Sequence, residues 1–312
     1  MFTWERLRVF AAVGQHGSVG AAAAALHITG PAVSQHIRKL EKETQVQLVE
    51  PDGRGIRLTA AGRVLAASAR EMAITAEDAE RDLANIHGVV AGPLRIGSVS
   101  SALRDLVPRS LRHLIERHPR LEPELSDGEP TAMLPLLRTR QLDAVITESW
   151  VHRPAHLPPG VHTTTLVKED VALAVHENHR LADRESVALG ELHGEVWASC
   201  PEGSDAQESL LQLLRAHGVE AEVRHCLGDY ATQMHLVAAG LTVAMAPEMV
   251  RRSGPPGVRY LPCRPSLTRT ISVATAAGAQ TPTVRAFIEE TLRLVGATVA
   301  AEETGQEAPA DA

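Results

Sequence analysis

The sequence predicts an α/β chain in two parts: a helical start closed by a short strand pair, and a longer region in which strands and helices alternate. Three observations predict this. Short amphipathic stretches crowd the region before residue 45, a long run of helical spacing covers 60–87, and from Pro93 onward short apolar runs alternate with amphipathic ones. At 312 residues the chain exceeds one ordinary core, so two or three folded units are expected.

The first helix is expected over 5–15, with Leu7, Phe10, Ala11 and Val13 on one side and an end between Gly14 and Gly17. Ser18 is placed to cap a second helix, whose run from Ala21 to Ala25 has no bulky side chain and lets another helix cross closely, with Leu26 as anchor. A tight turn over 27–30 follows, in which Gly30 tolerates backbone angles that other residues avoid, and Pro31 suits the first position of the next helix. Val33, Ile37 and Leu40 then form one buried stripe. The opposite face carries Ala32, Ser34, Gln35, Arg38 and Lys39. Residues 46–49 and 56–58 read as two short strands joined by 51–55, a wing that aims Arg54 and Arg57 at backbone phosphates.

A short polar helix after a tight turn has the form of a recognition helix for the major groove of DNA. Gln35 suits adenine N6 and N7, Ser34 serves as donor or acceptor, and Arg38 can grip a phosphate or a guanine. From Leu7 through SVGAAAAALHITGPAVSQHIRKLEKE to GRGIRLTAAGRVL, the chain resembles the N-terminal domain of LysR-type transcriptional regulators. The landmarks are Phe10, Ser18, Ala22, Ala23, Leu26, Pro31, Ser34, Ile37, Leu40, Glu41, Leu48, Leu58, Thr59 and Gly62. The resemblance implies a winged helix-turn-helix with Thr29, Gly30, Pro31, Ser34, Gln35 and Arg38 at the DNA. With Ser18, Ala32, Arg54 and Arg57 these are the candidate DNA-contact residues. Gly30 stands where the family usually has Gln, Thr44 and Gln45 replace Leu-Gly, Val49 replaces Phe and Pro51 replaces Arg. These departures bear on wing geometry and affinity, not on the fold.

Thr59 can cap a long helix from about 60 to 87, closed by Gly88. Leu65, Met72, Ala76, Ala79, Leu83 and Ile86 recur in steps of seven, four and three, a heptad seam expected to pair two copies of the chain. The family resemblance likewise makes this linker helix the dimerisation element. Two recognition helices related by a twofold axis would read two half-sites.

In the C-terminal part, strands are expected at 94–99, 121–125, 144–147, 171–175, 196–199, 223–227, 242–246, 258–261 and 271–274. Helices are expected at 102–118, 131–139, 205–217, 230–239 and 281–299. PLRIGSVSS, HPRLEPELSDGE, LLRTRQLDAVIT, LAVHENHRLADRESVALGEL and LVAAGLTVAMAPEM resemble the effector-binding domain of LysR-type regulators, which is similar to type 2 periplasmic solute-binding proteins. The resemblance implies two lobes joined by crossings near 163–168 and 264–269, with a small-molecule effector between them. The expected units are therefore 1–59 (winged helix-turn-helix), 60–90 (linker helix), 91–300 (effector domain) and 301–312 (disordered acidic tail). Within the effector domain one lobe takes 91–163 and 268–300 and the other 164–267.

Strand-to-helix turns supply the candidate effector contacts: Ser98, Ser100, Ser101, Glu129, Thr131 and Thr147 from one lobe, and Ser199, Cys200, Glu202 and Ser204 from the other. Hydroxyls and free N–H groups at a helix start suit an anion. Glu129 and Glu202 suit a cationic or polar ligand instead, so the effector class stays open at this point.

Composition narrows the function classes. The formal charge is −7, yet residues 1–62 hold seven Lys and Arg against five Asp and Glu, so the acidic surplus lies further along. The three cysteines, Cys200, Cys226 and Cys263, lack metal-ligand or disulfide spacing. No metal or cofactor is expected. GxSxG, HExxH, GxGxxG and GxxxxGK[ST] are absent, which argues against an enzyme. The start, MFTWERLRVF, has no signal-peptide pattern, and no apolar run reaches the roughly 18 residues of a membrane span. A cytoplasmic regulator is expected, with promoter DNA, an unidentified effector, its own copies as dimer or dimer-of-dimers tetramer, and RNA polymerase as partners.

Overall fold

A computed structural model of the chain describes residues 2–52, 55–86, 88–151, 153–279 and 281–303. The chain divides into two compact units, Met1–His87 and Gly88–Ala312.

The first unit comprises α1 (Trp4–His16), α2 (Val19–Ala25), α3 (Gly30–Thr44), β1 (Val49–Asp52), β2 (Gly55–Leu58) and α4 (Ala60–Ile86). Its core gathers Leu7, Phe10 and Val13 of α1, Ala22 and Ala23 of α2, and Val33, Ile37 and Leu40 of α3. Ser18 caps α2 by accepting from the Ala21 N–H at 3.1 Å. Gly30 is the first residue of α3 rather than the special residue of the turn, and Pro31 is second. The left-handed conformation falls on His27, at φ 53°. The first wing strand also lies later than expected, at Val49–Asp52 instead of 46–49. Gln45 turns left-handed at φ 56° to end α3, its side chain donating to the Lys42 carbonyl at 2.7 Å, and Val46 is left exposed. Pro51, expected in the connecting loop, pairs with Ile56 inside the hairpin. Glu41 ties α3 to the wing by accepting from the N–H groups of Leu48 and Val49 at 2.9 and 3.2 Å.

Thr59 starts α4 as expected, its hydroxyl accepting from the Gly62 N–H at 3.0 Å. A Cβ on Gly62 would collide with the Leu48 carbonyl oxygen, so only glycine lets α4 pass this close to the wing. The first half of α4 packs on α1: Ala66 and Ala69 are buried in the same core, and Leu65 packs against it. Leu65 therefore faces its own chain, a correction to its place in a seam between copies. Further along, Met72 and Leu83 are 50% and 64% exposed.

The second unit runs β3 (Gly92–Ser98), α5 (Ser100–Arg104), α6 (Leu106–Arg117), β4 (Leu121–Asp127), α7 (Pro130–Arg138), β5 (Ala144–Trp150), β6 (Val161–His176) and β7 (Val187–Ala188). After a 3₁₀ turn at Leu189–Leu192 come β8 (Val196–Ser199), α8 (Asp205–Ala216), β9 (Glu222–Cys226), α9 (Tyr230–Ala238), β10 (Ala244–Pro247), α10 (Glu248–Arg251), β11 (Val258–Ala276) and α11 (Pro282–Glu303). Among the described residues a seven-stranded sheet has the order β10-β6-β11-β5-β3-β4, with β7 beside β11, and β8 and β9 pair separately in parallel. The strands expected at 171–175, 258–261 and 271–274 are pieces of two long strands, β6 and β11, paired antiparallel along their length. Polar residues such as Lys168, Asp170 and Arg264 interrupt the apolar runs without ending the strands. The ladder shifts register between Pro262 and Leu267 and between Ile271 and Ser272.

Two lobes are visible as separate cores. One gathers Leu94, Ile96, Leu114, Ile146, Ile271 and Phe287, the other Leu173, Leu192, Trp197, Leu214, Val237 and Leu261. The change between cores falls between Val167 and Val171 on β6 and between Leu267 and Ile271 on β11. The single helix expected at 102–118 is two helices broken at Asp105 (φ −126°, ψ −70°), and α11 runs on to Glu303, three residues into the expected tail. Residues 304–312 lie outside the described residues.

Candidate functional sites: the third helix and the interlobe cavity

The apolar stripe of α3 points into the core and thereby turns the other flank outward. Pro31, Gln35, Arg38 and Lys39 are exposed, while Ala32 and Ser34 are half-buried. Thr29 caps this helix by accepting from the Ala32 N–H at 3.4 Å. Ser18 and Thr29 thus both have local structural work to do at helix starts. An added Cβ at Gly30 would meet nothing closer than Val19 Cγ1 at 3.8 Å, so the missing side chain leaves room on this flank. Arg57 lies across the hairpin from Glu50 and pairs with it at 2.8 Å, both side chains well exposed. Such a surface pair contributes only about 0–1 kcal/mol, so a phosphate can take Arg57 from it. Arg54 lies outside the described residues, as does the side chain of Ile86.

In the second unit, a cavity of ≈ 310 Å³ opens between the lobes, lined by Val99, Ser100, Asp127, Gly128, Glu129, Glu148, Cys200, Gly228, Asp229 and Tyr230. Of the ten expected contacts, Ser100, Glu129 and Cys200 line it. Ser98 is fully buried and donates to the Val99 carbonyl at 3.1 Å; Ser101 is buried and accepts from Arg269 at 3.1 Å. Thr147 is buried with its hydroxyl unpartnered among the described residues. Ser199 lines a smaller recess behind Cys200 and Tyr230. Ser204 caps α8 by accepting from the Gln207 N–H at 3.3 Å, and Glu202 and Thr131 are exposed. Contacts join the two lobes across the cavity: Arg104 pairs with Asp229 at 2.8 Å, Ser100 donates to the Gly228 carbonyl at 3.3 Å, and Arg153 pairs with Asp205 at 3.1 Å.

Sequence reasoning missed the group that braces this cavity. Arg269 of β11 is fully buried and donates to Glu148 of β5 at 2.7 Å and through Nε to Glu169 of β6 at 2.7 Å. Its guanidinium also lies 5.8 Å from the Tyr230 ring centre and 5.9 Å from that of Trp150. Burial alone would lower the Arg269 pKa, but Glu148 and then Glu169 more than reverse this and raise it. Glu129 is pushed up by burial, then by Glu148 and Asp205. Burial, and next Glu148, push the Cys200 thiol up to about 12, so it stays protonated and a poor nucleophile. A charged residue in a strand gives no local signal of such a role. Asp229 and Tyr230, by contrast, sit at the same kind of strand-to-helix turn that pointed to Ser100 and Glu129.

Known proteins match both units. Residues 4–63 match the group described as bacterial regulatory helix-turn-helix protein, lysR family, and residues 87–295 match the LysR substrate binding domain. Relatives include the DNA-binding transcriptional dual regulator OxyR of Escherichia coli, 28% identical over 280 residues that cover 86% of this chain and 87% of that protein. The hydrogen peroxide-inducible genes activator of Pectobacterium carotovorum subsp. carotovorum is 28% identical over 271 residues, covering 86% and 88%. Among solved structures, full-length CbnR complexed with its target DNA matches with a TM-score of 0.68 at 23% identity, over 94% of this chain and 99% of that one. Full-length OxyR from Pseudomonas aeruginosa matches with a TM-score of 0.66 at 24% identity, over 95% and 98%.

Proposed function

The chain belongs to the LysR family of bacterial regulators, and from that premise we propose that it reads promoter DNA with the outward flank of α3 under the control of a small-molecule effector held in the interlobe cavity. The observation that carries this reading is the polar flank of α3, with Gln35 and Arg38 exposed beside a buried stripe. Gln35 reads a base edge, Arg38 a guanine or a phosphate, and Arg57 of the wing adds a phosphate contact. Thr29 and Ser18 cap the starts of α3 and α2, and the remaining N–H groups of such a helix start suit a backbone phosphate.

The protein works as a homodimer, paired along the later part of α4, where Met72 and Leu83 are exposed, and two dimers form the tetramer that spans an operator. Effector binding closes the cleft and shifts the relative pose of the dimers in the tetramer, changing half-site spacing and DNA bending; the coupling needs unequal effector affinity for the two poses. RNA polymerase receives the output, and the work is done in the cytoplasm. No described helix is long and apolar enough to cross a membrane. The relatives are named as regulators, and the reading here is regulation without catalysis. A thiol switch at Cys200 is disfavoured by its burial and its pKa of about 12.

Genome-wide mapping of bound DNA with the full chain, followed by footprinting on the recovered sites, tests the reading. Discrete promoter sites containing paired half-sites are expected. Binding indifferent to sequence, or a footprint unaltered by Gln35→Ala, would remove α3 from the reading role.

A further inference from the structure

The interlobe cavity has room for a small molecule, ≈ 310 Å³, and its walls are lopsided in charge. Asp127, Glu129, Glu148 and Asp229 line it, and among the described lining residues there is no Lys, Arg or His. Two of the four carboxylates have arginines nearby: Arg104 pairs with Asp229, and Arg269 with Glu148. The second balance is incomplete. Arg269 also serves Glu169, and Glu148 and Glu169 are 5% and 4% exposed, so one buried positive charge answers two buried negative ones. Glu129 registers the surplus, since after burial itself the causes raising its pKa are Glu148 and Asp205. The rest of the wall offers an anion little: Val99 is apolar, the Cys200 thiol is protonated at about 12, and the Ser100 hydroxyl donates to the Gly228 carbonyl. Three helices begin at the cavity. The first, α5, has only five residues and breaks at Asp105. The starts of α7 and α9 each already hold a carboxylate at the cap position, Glu129 and Asp229, so an incoming anion meets that negative charge at both.

We propose that the effector is a small organic cation, an ammonium or guanidinium compound, held in the interlobe cavity by Glu129 and Asp127 on one lobe and Asp229 on the other. This rests on the reading of the cavity as the effector site and names the chemical class that site takes. A cation lodged there adds positive charge beside Glu148, which shares Arg269 with Glu169, and it is attracted by both lobes at once. Ligand charge is thereby coupled to the pose of the lobes. A dicarboxylate of the same length meets only like charge.

Calorimetric titration of the full-length protein at low salt with 1,4-diaminobutane, 4-guanidinobutylamine and butanedioate tests this. The two cations are expected to bind at least about tenfold more tightly than butanedioate. Their affinity should fall as sodium chloride is raised. The double variant Asp127→Asn, Glu129→Gln keeps side-chain size and should erase the preference while melting within a few degrees of the parent. Tighter binding of butanedioate, or no cation binding at millimolar concentration, overturns the charge assignment. Gly228→Trp, which sets a bulky side chain at a lining position, separates this from the reading beneath it. If butanedioate binds and Gly228→Trp abolishes that binding, the cavity remains the effector site and only the cation is wrong. If cations bind and Gly228→Trp leaves their affinity intact, they sit elsewhere and the cavity reading falls too.

Discussion

The third helix and the interlobe cavity are built in opposite ways. Everything α3 needs lies within one stretch of chain: a capping Thr29, a buried stripe of Val33, Ile37 and Leu40, and an outward Gln35 and Arg38 interleaved with that stripe. The cavity is assembled from five separate segments, and the arginine that braces it reaches Ser101, Glu148 and Glu169, which are 168, 121 and 100 residues away along the chain. A surface that must enter a groove can be made locally, because one exposed flank suffices. A cavity that must respond to a ligand needs walls from both lobes, so its parts are necessarily distant. Substitutions on the outward flank of α3 should therefore change recognition without changing stability, and those at the buried Arg269 brace beside the cavity should do both.

The sharpest break of this contrast is Arg269→Ala. It strands two buried carboxylates, and a loss of about 3–5 kcal/mol is expected in the urea unfolding of the second unit. A loss under 1 kcal/mol would mean the brace is ornamental. Gln35→Ala is the matching change in the first unit: about 1–3 kcal/mol of discrimination against the wrong base disappears in competition binding, while the melting temperature stays within a degree or two.

Away from both sites, Glu290 of α11 measures what a distant ion cluster does for the second unit. Its side chain, 1% exposed, bonds Arg293 and His113 at 2.5 and 2.9 Å and pairs with Arg117. Its pKa is lowered from 4.5 to about 2, first by the Arg293 hydrogen bond, against the opposing effect of burial, then by His113 and Arg117. A carboxyl with a depressed folded pKa stabilises fully above its unfolded value and loses that contribution as the pH falls through the folded one. Discounted for the solvent around Arg117 and Arg293, about 2 kcal/mol should vanish between pH 4.5 and pH 2. Glu290→Gln should be less stable than the parent at pH 7 by that amount and equal to it near pH 2. Parallel stability curves would show that the cluster contributes nothing.

The smallest effect is expected in the first unit, where Gln45 holds a left-handed backbone at the end of α3. Gln45→Gly should raise the melting temperature slightly, by relief of about 0.5–1 kcal/mol of strain. An unchanged or lower value would mean that the Gln45 hydrogen bond to Lys42 offsets the strain.

The same contrast explains what the sequence disclosed. Helical period and capping chemistry are local, so the three stripe residues of α3 and the caps at Ser18 and Thr59 could be read directly. Gly30 was misplaced in the turn because glycine is the habitual left-handed residue, whereas His27 takes that conformation. β6 and β11 were cut short because Lys168, Asp170 and Arg264 look like strand ends when read alone. Arg269 gave no signal at all, since its meaning depends on partners a hundred residues away. Leu65 fitted a seam between copies by spacing alone, and spacing does not say which of two apolar neighbours a side chain will meet.

The pairing of β6 with β11 through both lobes has a mechanical consequence. Loops would let the lobes swing freely, but here any movement of one lobe against the other applies a torque to hydrogen-bonded strands, with the register shift at Ile271–Ser272 next to the crossing as the interrupted point of the ladder. A continuous two-stranded ribbon of this kind resists twisting elastically, so a change in lobe pose would be opposed by the backbone ladder itself, in the manner of a torsion spring.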